Sequence, residues 1–500
     1  MCLHQAIAQD KYWICFKGKA AAAGPCVSGE TIAGRIHAGL HIRQFTDWPV
    51  TPEYVERLRK DHINVLVLSK WLNAASARLD KRQLQFVRHL RFVKEIVPIR
   101  RIIYTASNTA MNAAPPIENV AYEQTGGEML TKAHLTGKHV KIGIIDGGFL
   151  DADKNPNLAH LFRNGQVKAF KDFVTPGNPD FYTCTYASFG GHGTYVWQLI
   201  GGAASGNHTL YGAAIDANYY LARTDDDNIE SRREEDNWVA ALEWMDSLGV
   251  RLVNTSLGYS HDFDDPKENY TPAQMNGHST IVSKAAQIAV TRKGMIIVAA
   301  AGNEGDNKEW RIIEAPADVK GVIAVGATDK EGEKLKFSSE GPAFLDYLKP
   351  DLSCFSGIGT SGSAPVIAGL IACLLQENPR LSPSRVSEIL RRSGSLYPYG
   401  NNYLGYGMPN ASRMLMLLGN KAVDTRPASS ISTKKDELAL PYGGPVPGKA
   451  VIFHKLDGRK VLSQEVREIK GTPFIIRRTG GERYTTVVVG DKLINIEWDR

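Results

Sequence analysis

Four short stretches hold side chains whose types could carry out acyl transfer. They are Asp146 in Ile145-Asp146-Gly147-Gly148, His192 in Gly190-Gly191-His192-Gly193-Thr194, Asn303 in Ala301-Gly302-Asn303-Glu304-Gly305, and Ser361 in Gly359-Thr360-Ser361-Gly362-Ser363-Ala364-Pro365. A serine hydroxyl is a weak nucleophile until a base takes its proton, and histidine is the base suited to neutral pH. A carboxylate beside that histidine would fix its tautomer and stabilise the imidazolium that forms. An asparagine amide is a neutral donor fit for a developing oxyanion. Each stretch also has a plain structural reading: Asp-Gly after a strand as a turn, a histidine among glycines as a tight corner, a serine before an apolar helix as an N-cap. The chemical reading requires all four to meet, in the order Asp, His, Asn, Ser.

The elements that must position them can be read from periodicity. Val366 to Leu375 is hydrophobic on every side apart from Gly369, so it predicts a helix buried all round. Its apolar core of about 12 residues is well short of the roughly 20 that span a bilayer. Pro365 is tolerated only in a first turn, which puts the helix start near Ser361, with free N–H groups and a positive dipole end beside the hydroxyl. Between His139 and Leu418, apolar strands alternate with helices, the pattern of an α/β domain with a largely parallel sheet. The expected strands are Val140–Ile145, Asn218–Ala222, Val250–Asn254, Met295–Ala299 and Val322–Val325. The expected helices are Thr194–Ile200, Glu234–Ser247, Thr280–Arg292, Ala364–Gln376 and Pro383–Arg392. Ligands of parallel sheets bind outside the carboxyl ends of strands, where Asp146 and Asn303 would lie together.

The 500 residues divide by composition. Residues 1–9 (MCLHQAIAQ) read as a signal-peptide remnant or a frayed terminus. Residues 10–118 show a β-α-β-β-α-β order, the ferredoxin-like split unit, closed by an Asn-, Ala- and Pro-rich linker at Ser107–Pro116. The α/β domain is expected over 119–423, a linker over 424–449, and a small β-module over 450–500, with Asp457-Gly458 as a hairpin turn. The net charge of +6, from 59 basic against 53 acidic residues, gives no case for nucleic acid, and no stretch is long enough for a membrane span. The six cysteines show no CxxC spacing, so neither zinc nor a disulfide framework is indicated.

With these motifs in place, the chain from about Val140 to Asn410 resembles the subtilisin-like serine peptidases, or subtilases. The matching stretches are Ile145-Asp146-Gly147-Gly148, His192-Gly193-Thr194, Ser256-Leu257-Gly258, Ala301-Gly302-Asn303 and Gly359-Thr360-Ser361. The resemblance implies a catalytic triad of Asp146, His192 and Ser361, with Ser361 chosen over Ser363 by its distance from Ala364-Pro365. It implies Asn303 as oxyanion donor, Ser256, Leu257 and Gly258 as the strand that accepts substrate, and Glu304 at the rim of the P1 pocket. The N-terminal module resembles the family's propeptide. Asp10-Lys11-Tyr12-Trp13-Ile14 and Glu235 to Trp244 look like secreted subtilases of the Bacteroidota type, some of which carry a C-terminal β-module as a sorting tag.

The expected function is that of a secreted serine endopeptidase made as a self-processing zymogen. Its partners would be protein or peptide substrates and its own propeptide as intramolecular inhibitor. The alternative is a catalytically weak or inactive subtilase scaffold serving as a surface or binding protein. It is motivated by the short stretch Leu352 to Ile358 before Gly359, where the family has a longer excursion. An acid peptidase of the sedolisin type would replace the histidine by glutamate, and His192 argues against it. The chemistry requires no cofactor. Acidic runs at Asp225 to Asp227 and Asp262 to Asp265 raise structural calcium but lack EF-hand spacing, so solvated loops account for them. Self-cleavage is expected between about Tyr104 and Tyr122, with Tyr104 as the first choice of P1 residue and Tyr122 the second.

Overall fold

The computed structural model describes residues 10–20, 27–99, 116–183, 190–204, 206, 209–225, 232–261, 263, 266–419, 428–441, 448–490 and 492–499. The N-terminal remnant, residues 107–115 of the linker, Tyr104, and the acidic residues Asp226, Asp227, Asp262, Asp264 and Asp265 lie outside them.

The N-terminal module is built from β1 (Asp10–Phe16), α1 (Gly29–His37), α2 (Pro52–Lys60), β2 (Asn64–Ser69), β3 (Ala74–Leu79), α3 (Lys81–Arg88) and β4 (Val93–Ile99), with sheet order β2-β3-β1-β4. This is the ferredoxin-like arrangement expected, with β1 pairing antiparallel to both β3 and β4. Pro52 opens α2 because a first-turn N–H has no helical partner to lose. The expected strand from Trp71 begins only at Ala74. Residues 70–73 turn instead, because buried Glu243 of the next domain accepts the N–H groups of Lys70 and Trp71 and the hydroxyl of Ser69. A long-range partner overrides the local β-propensity there. Helix α1, capped by Ser28, was not foreseen.

The central domain begins with α4 (Val120–Gln124) and α5 (Gly127–Lys132). Its sheet holds β5 (Lys141–Asp146), β6 (Val167–Asp172), β7 (Asn218–Arg223), β8 (Leu252–Thr255), β9 (Ile296–Ala300), β10 (Ile323–Thr328) and β11 (Leu352–Phe355). Among the described residues it is seven-stranded, all parallel, in the order β11-β10-β9-β8-β5-β7-β6. Alternate residues face opposite cores. Ile142, Ile144, Ile296 and Val298 pack on one side with α7 (His192–Gly201), α10 (Ser363–Glu377), α11 (Pro383–Ser393) and α12 (Ala411–Leu418). Ile145, Ile297 and Ala299 pack on the other with α8 (Arg233–Ser247) and α9 (Ile281–Ile288), while the short α6 (Ala159–Arg163) follows β5. The π-turn Ala289–Lys293 continues α9, so the expected 280–292 helix is present in two geometries. Neither β6 nor β11 was expected. As edge strands they lack the continuous apolar run of a central parallel strand: Phe170 and Lys171 are exposed, and β11 is only Leu-Ser-Cys-Phe.

The C-terminal module contains β12 (Ala428–Thr433), β13 (Glu437–Leu440), β14 (Gly448–Lys455), β15 (Val461–Ile469), β16 (Phe474–Arg477), β17 (Tyr484–Val489) and β18 (Lys492–Trp498), in a five-stranded sheet β12-β18-β17-β14-β15 and a β13-β16 pair. This corrects the 424–449 linker. Ser-rich β12 and the short β13 carry too little apolar surface to show in the sequence, and they form by pairing with β18 and β16. The Asp457 turn is as expected, its carboxylate accepting the N–H groups of Arg459 and Lys460. Among the described residues no helix is long and apolar enough to cross a membrane.

Candidate active site

The neighbouring strands β9, β8 and β5 deliver three of the candidate segments to the same carboxyl edge of the sheet. Asp146 is the last residue of β5, fully buried; Ser256-Leu257-Gly258 follows β8, and Ala301-Gly302-Asn303 follows β9. Helix α7 brings His192 to this edge as its first residue, and α10, lying across β8, β9 and β10, brings Ser361 just ahead of its first turn.

His192 Nδ1 lies 2.7 Å from Asp146 Oδ1, which also accepts the N–H of Gly147 at 2.9 Å. The start of α7 is fixed by close backbone contact: Gly193 N–H donates to the Gly148 carbonyl at 2.9 Å, and a Cβ on Gly193 would stand 2.5 Å from that oxygen and 3.0 Å from Asp146 Cβ. Glycine is therefore required at position 193 for His192 to reach the carboxylate. Asp146 Oδ2 is buried with no hydrogen-bond partner among the described residues.

Ser361 is not a helix cap. It sits in a single 3₁₀ turn, Thr360–Gly362, and α10 starts behind it with Gly362 at its N-cap and no side-chain capping bond. Its hydroxyl donates to the Ser256 carbonyl at 3.1 Å, while the Ser256 hydroxyl donates to the Ser361 carbonyl at 3.0 Å. The serine is thereby tied to the strand segment expected to take substrate.

Asn303 is exposed and its amide orientation is determined. Thr360 N–H, which can only donate, lies 2.8 Å from Asn303 Oδ1, and the Thr360 hydroxyl donates to the same oxygen at 3.2 Å. Nδ2 consequently faces outward and has no acceptor among the described residues. Thr360, fully buried, also accepts the Gly302 N–H at 3.1 Å, so one threonine joins the Ser361 turn to the Asn303 loop.

Glu304 accepts from Asn307 at 2.9 Å and pairs with His261 at 3.2 Å, and the His261 hydrogen bond holds its carboxyl below the usual range. His261 in turn stacks on Trp310. Sequence reasoning missed Glu314, whose carboxylate lies between Gly258 and Gly302. The glycine at 258, opposite Gly302, is the one signal that something approaches closely there. Tyr122, the second choice of cleavage point, is buried in α4 with its ring against Gly127, and its backbone is not presented as an extended strand. Asp225 binds the Tyr259 hydroxyl at 3.1 Å. Among the described residues no group of three or more His, Cys, Asp or Glu could hold a metal ion.

Comparison with known proteins gives the family of the chain. Residues 137–407 match the model of the subtilase family of S8 peptidases, and residues 11–113 match the S8 propeptide domain of Bacteroidota. The chain is 27% identical to subtilisin E of Bacillus subtilis (strain 168) over 352 residues, covering 68% of this chain and 80% of that one. It is 30% identical to subtilisin DY of Bacillus licheniformis over 285 residues, covering 55% and 90%. Among solved structures, the epidermin leader peptide processing serine protease of Staphylococcus aureus aligns with a TM-score of 0.54 at 18% identity, over 83% of this chain and 99% of that one, a likeness of fold.

Proposed function

Because this chain belongs to the subtilase family of serine peptidases and carries a propeptide domain of the Bacteroidota type, we propose that it is a secreted endopeptidase whose triad is Asp146, His192 and Ser361. Substrate lies antiparallel against Ser256-Leu257-Gly258 as an added strand. Ser361 Oγ attacks the scissile carbonyl as His192 Nε2 takes its proton, while Asp146 holds Nδ1–H and stabilises the imidazolium. Asn303 Nδ2 donates to the oxyanion, aided by the positive start of α10. His192 then returns the proton to the leaving amine, and water repeats the cycle on the acyl-enzyme. The single observation that carries this reading is the 2.7 Å bond between His192 and a fully buried Asp146, at the edge where Ser361 and the outward Asn303 amide also lie.

The N-terminal module acts as propeptide and inhibitor, and the chain is cut in cis in the segment between β4 and α4. Lys11 pairs with Asp236, Arg35 with Asp246, and Lys293 with Asp47 across the joint, contacts that do not depend on the bond to be cut. Wild type and Ser361→Ala, expressed alike and compared by intact mass and fluorophosphonate labelling, test the reading. Wild type should label and shorten; Ser361→Ala should do neither. Equal shortening of both would assign the cut to another protease, and an unlabelled wild type would favour a non-catalytic binding protein on this scaffold.

A further inference from the structure

Beside the candidate catalytic serine, two backbone segments form facing walls: Ser256 to Ser260 on one side and Ala301 to Asn303 on the other. Both walls carry glycine where a side chain would otherwise project between them, at Gly258 and Gly302. Glu314 is fastened to both. Its N–H donates to the Ala301 carbonyl at 3.1 Å, and its neighbour Ala315 exchanges two backbone hydrogen bonds with Tyr259, at 2.9 and 3.3 Å. Its carboxylate reaches up between the walls. A Cβ built on Gly258 would stand 2.1 Å from Oε2, and one on Gly302 would stand 2.8 Å from the same oxygen. The other oxygen, Oε1, accepts the Ser260 hydroxyl at 2.6 Å, which fixes the carboxylate's direction.

Gly258 belongs to the strand proposed to bind substrate, and Gly302 directly precedes the proposed oxyanion donor. A substrate side chain adjacent to the scissile carbonyl therefore enters between these glycines and meets Oε2. We propose that Glu314 is the specificity-determining residue for the position before the cleaved bond, and that the enzyme cuts after arginine and lysine. This rests on the endopeptidase reading above. A guanidinium or ammonium forms a charge-assisted hydrogen bond with Oε2. An apolar side chain instead desolvates the carboxylate without replacing its hydrogen bonds, which is the asymmetry that gives polar pockets their large discrimination. A glutamate at that position is rejected by like charge.

The test is a set of peptide anilides identical except for Arg, Lys, Phe, Leu, Ala or Glu before the scissile bond, assayed with the processed full chain and with Glu314→Gln. Glutamine has the same shape and keeps an acceptor for Ser260. In wild type, kcat/KM for Arg and Lys should exceed that for Phe and Leu by about 10²-fold or more. In Glu314→Gln the ratio of kcat/KM for the Arg and Lys peptides to that for the Ala peptide should fall by about 10²-fold. A peptide arginal should also inhibit wild type more tightly than the matching phenylalaninal, a comparison that needs no variant. A wild-type preference for Phe or Leu, or equal slowing of every peptide in Glu314→Gln, overturns the assignment. If Ser361 labels with a fluorophosphonate while the preference is not basic, only this inference falls. If nothing is cleaved and nothing labels, the endopeptidase reading falls and takes this inference with it.

Discussion

Replacing Asn303 by leucine asks whether the outward amide acts on the transition state or merely on bound substrate. The amide's other duty is to accept the Thr360 N–H through Oδ1, so the variant's folding is measured beside its kinetics. Its Oδ1 is held by the Thr360 N–H and hydroxyl, so Nδ2 is aimed without further help, and the residue itself is exposed, which keeps the cost in stability small. A donor that meets charge only as the tetrahedral oxyanion forms contributes to kcat and leaves KM nearly unchanged. Losing one such donor costs about 3–4 kcal/mol, or 10² to 10³ in kcat, as it does in subtilisin. Thr360→Val is the graded companion. It deletes the 3.2 Å hydroxyl bond that steadies the amide and the acceptor of the buried Gly302 N–H but keeps the 2.8 Å backbone bond, so a loss of about 1–3 kcal/mol, shared between stability and kcat, is expected. Steady-state kinetics on one peptide, with thermal melts to confirm folding, measure both. If Asn303→Leu raises KM at constant kcat, the amide binds ground-state substrate and the oxyanion assignment is wrong.

Ser361→Ala and His192→Ala should each reduce turnover to the residual level of the scaffold, and the double variant should be little worse, because the pair works as a unit; additive losses would contradict this. Gly193→Ala should cost about 1–3 kcal/mol in stability and most of the activity, since its methyl would overlap the Gly148 carbonyl; an active, equally stable variant would refute the clamp at the start of α7. Glu235, buried and bound by the Tyr270 hydroxyl, is pushed by burial from 4.5 up to about 7. The native state keeps a proton that the unfolded chain has already released, so this glutamate's contribution is full below pH 4.5 and is lost as pH rises to about 7. Glu235→Gln should therefore raise Tm near pH 8 by the equivalent of about 1–3 kcal/mol and change it little near pH 4, and a uniform shift at both would exclude the titration. Mass analysis of processed wild type should place the cut after Arg100 or Arg101, just beyond β4, in place of Tyr104. A mature chain beginning at Thr105 would show that an apolar residue is preferred in cis.

What could be read in the sequence was whatever depends on local runs. The central strands β5, β7, β8, β9 and β10 and the buried helix α10 announce themselves by unbroken apolar stretches, and the glycine-flanked Asp146, His192, Asn303 and Ser361 stand at their ends. What could not be read depends on partners distant in the chain. Residues 70–73 turn because Glu243 receives them, and β12 is a strand because β18 lies beside it. Ser361 looked like a cap because a serine before a helix usually is one, and only the Ser256 carbonyl shows where its hydroxyl goes. Glu314 sits in an ordinary stretch, Ile312-Ile313-Glu314-Ala315-Pro316, and gains meaning only from two glycines that lie 56 and 12 positions earlier.

Helix α8 is buried on nearly every face, yet it carries Asp236, Glu243 and Asp246, all turned toward the N-terminal module and met there by Lys11, the Ser69–Trp71 turn and Arg35. If that module leaves as proposed, those carboxylates become hydrated and the departing piece takes Lys11 and Arg35 with it, while its Asp47 and Glu30 leave Lys293 and Lys141 behind, so each surface exposes charges of both signs that the other complements. Mobile ions screen charges across open water but scarcely reach a pair sealed in a joint. Salt should then slow recapture of the released module while leaving its rate of escape almost untouched. A mature enzyme of this design stays free more readily in brine than in dilute buffer, although brine does little to set it free.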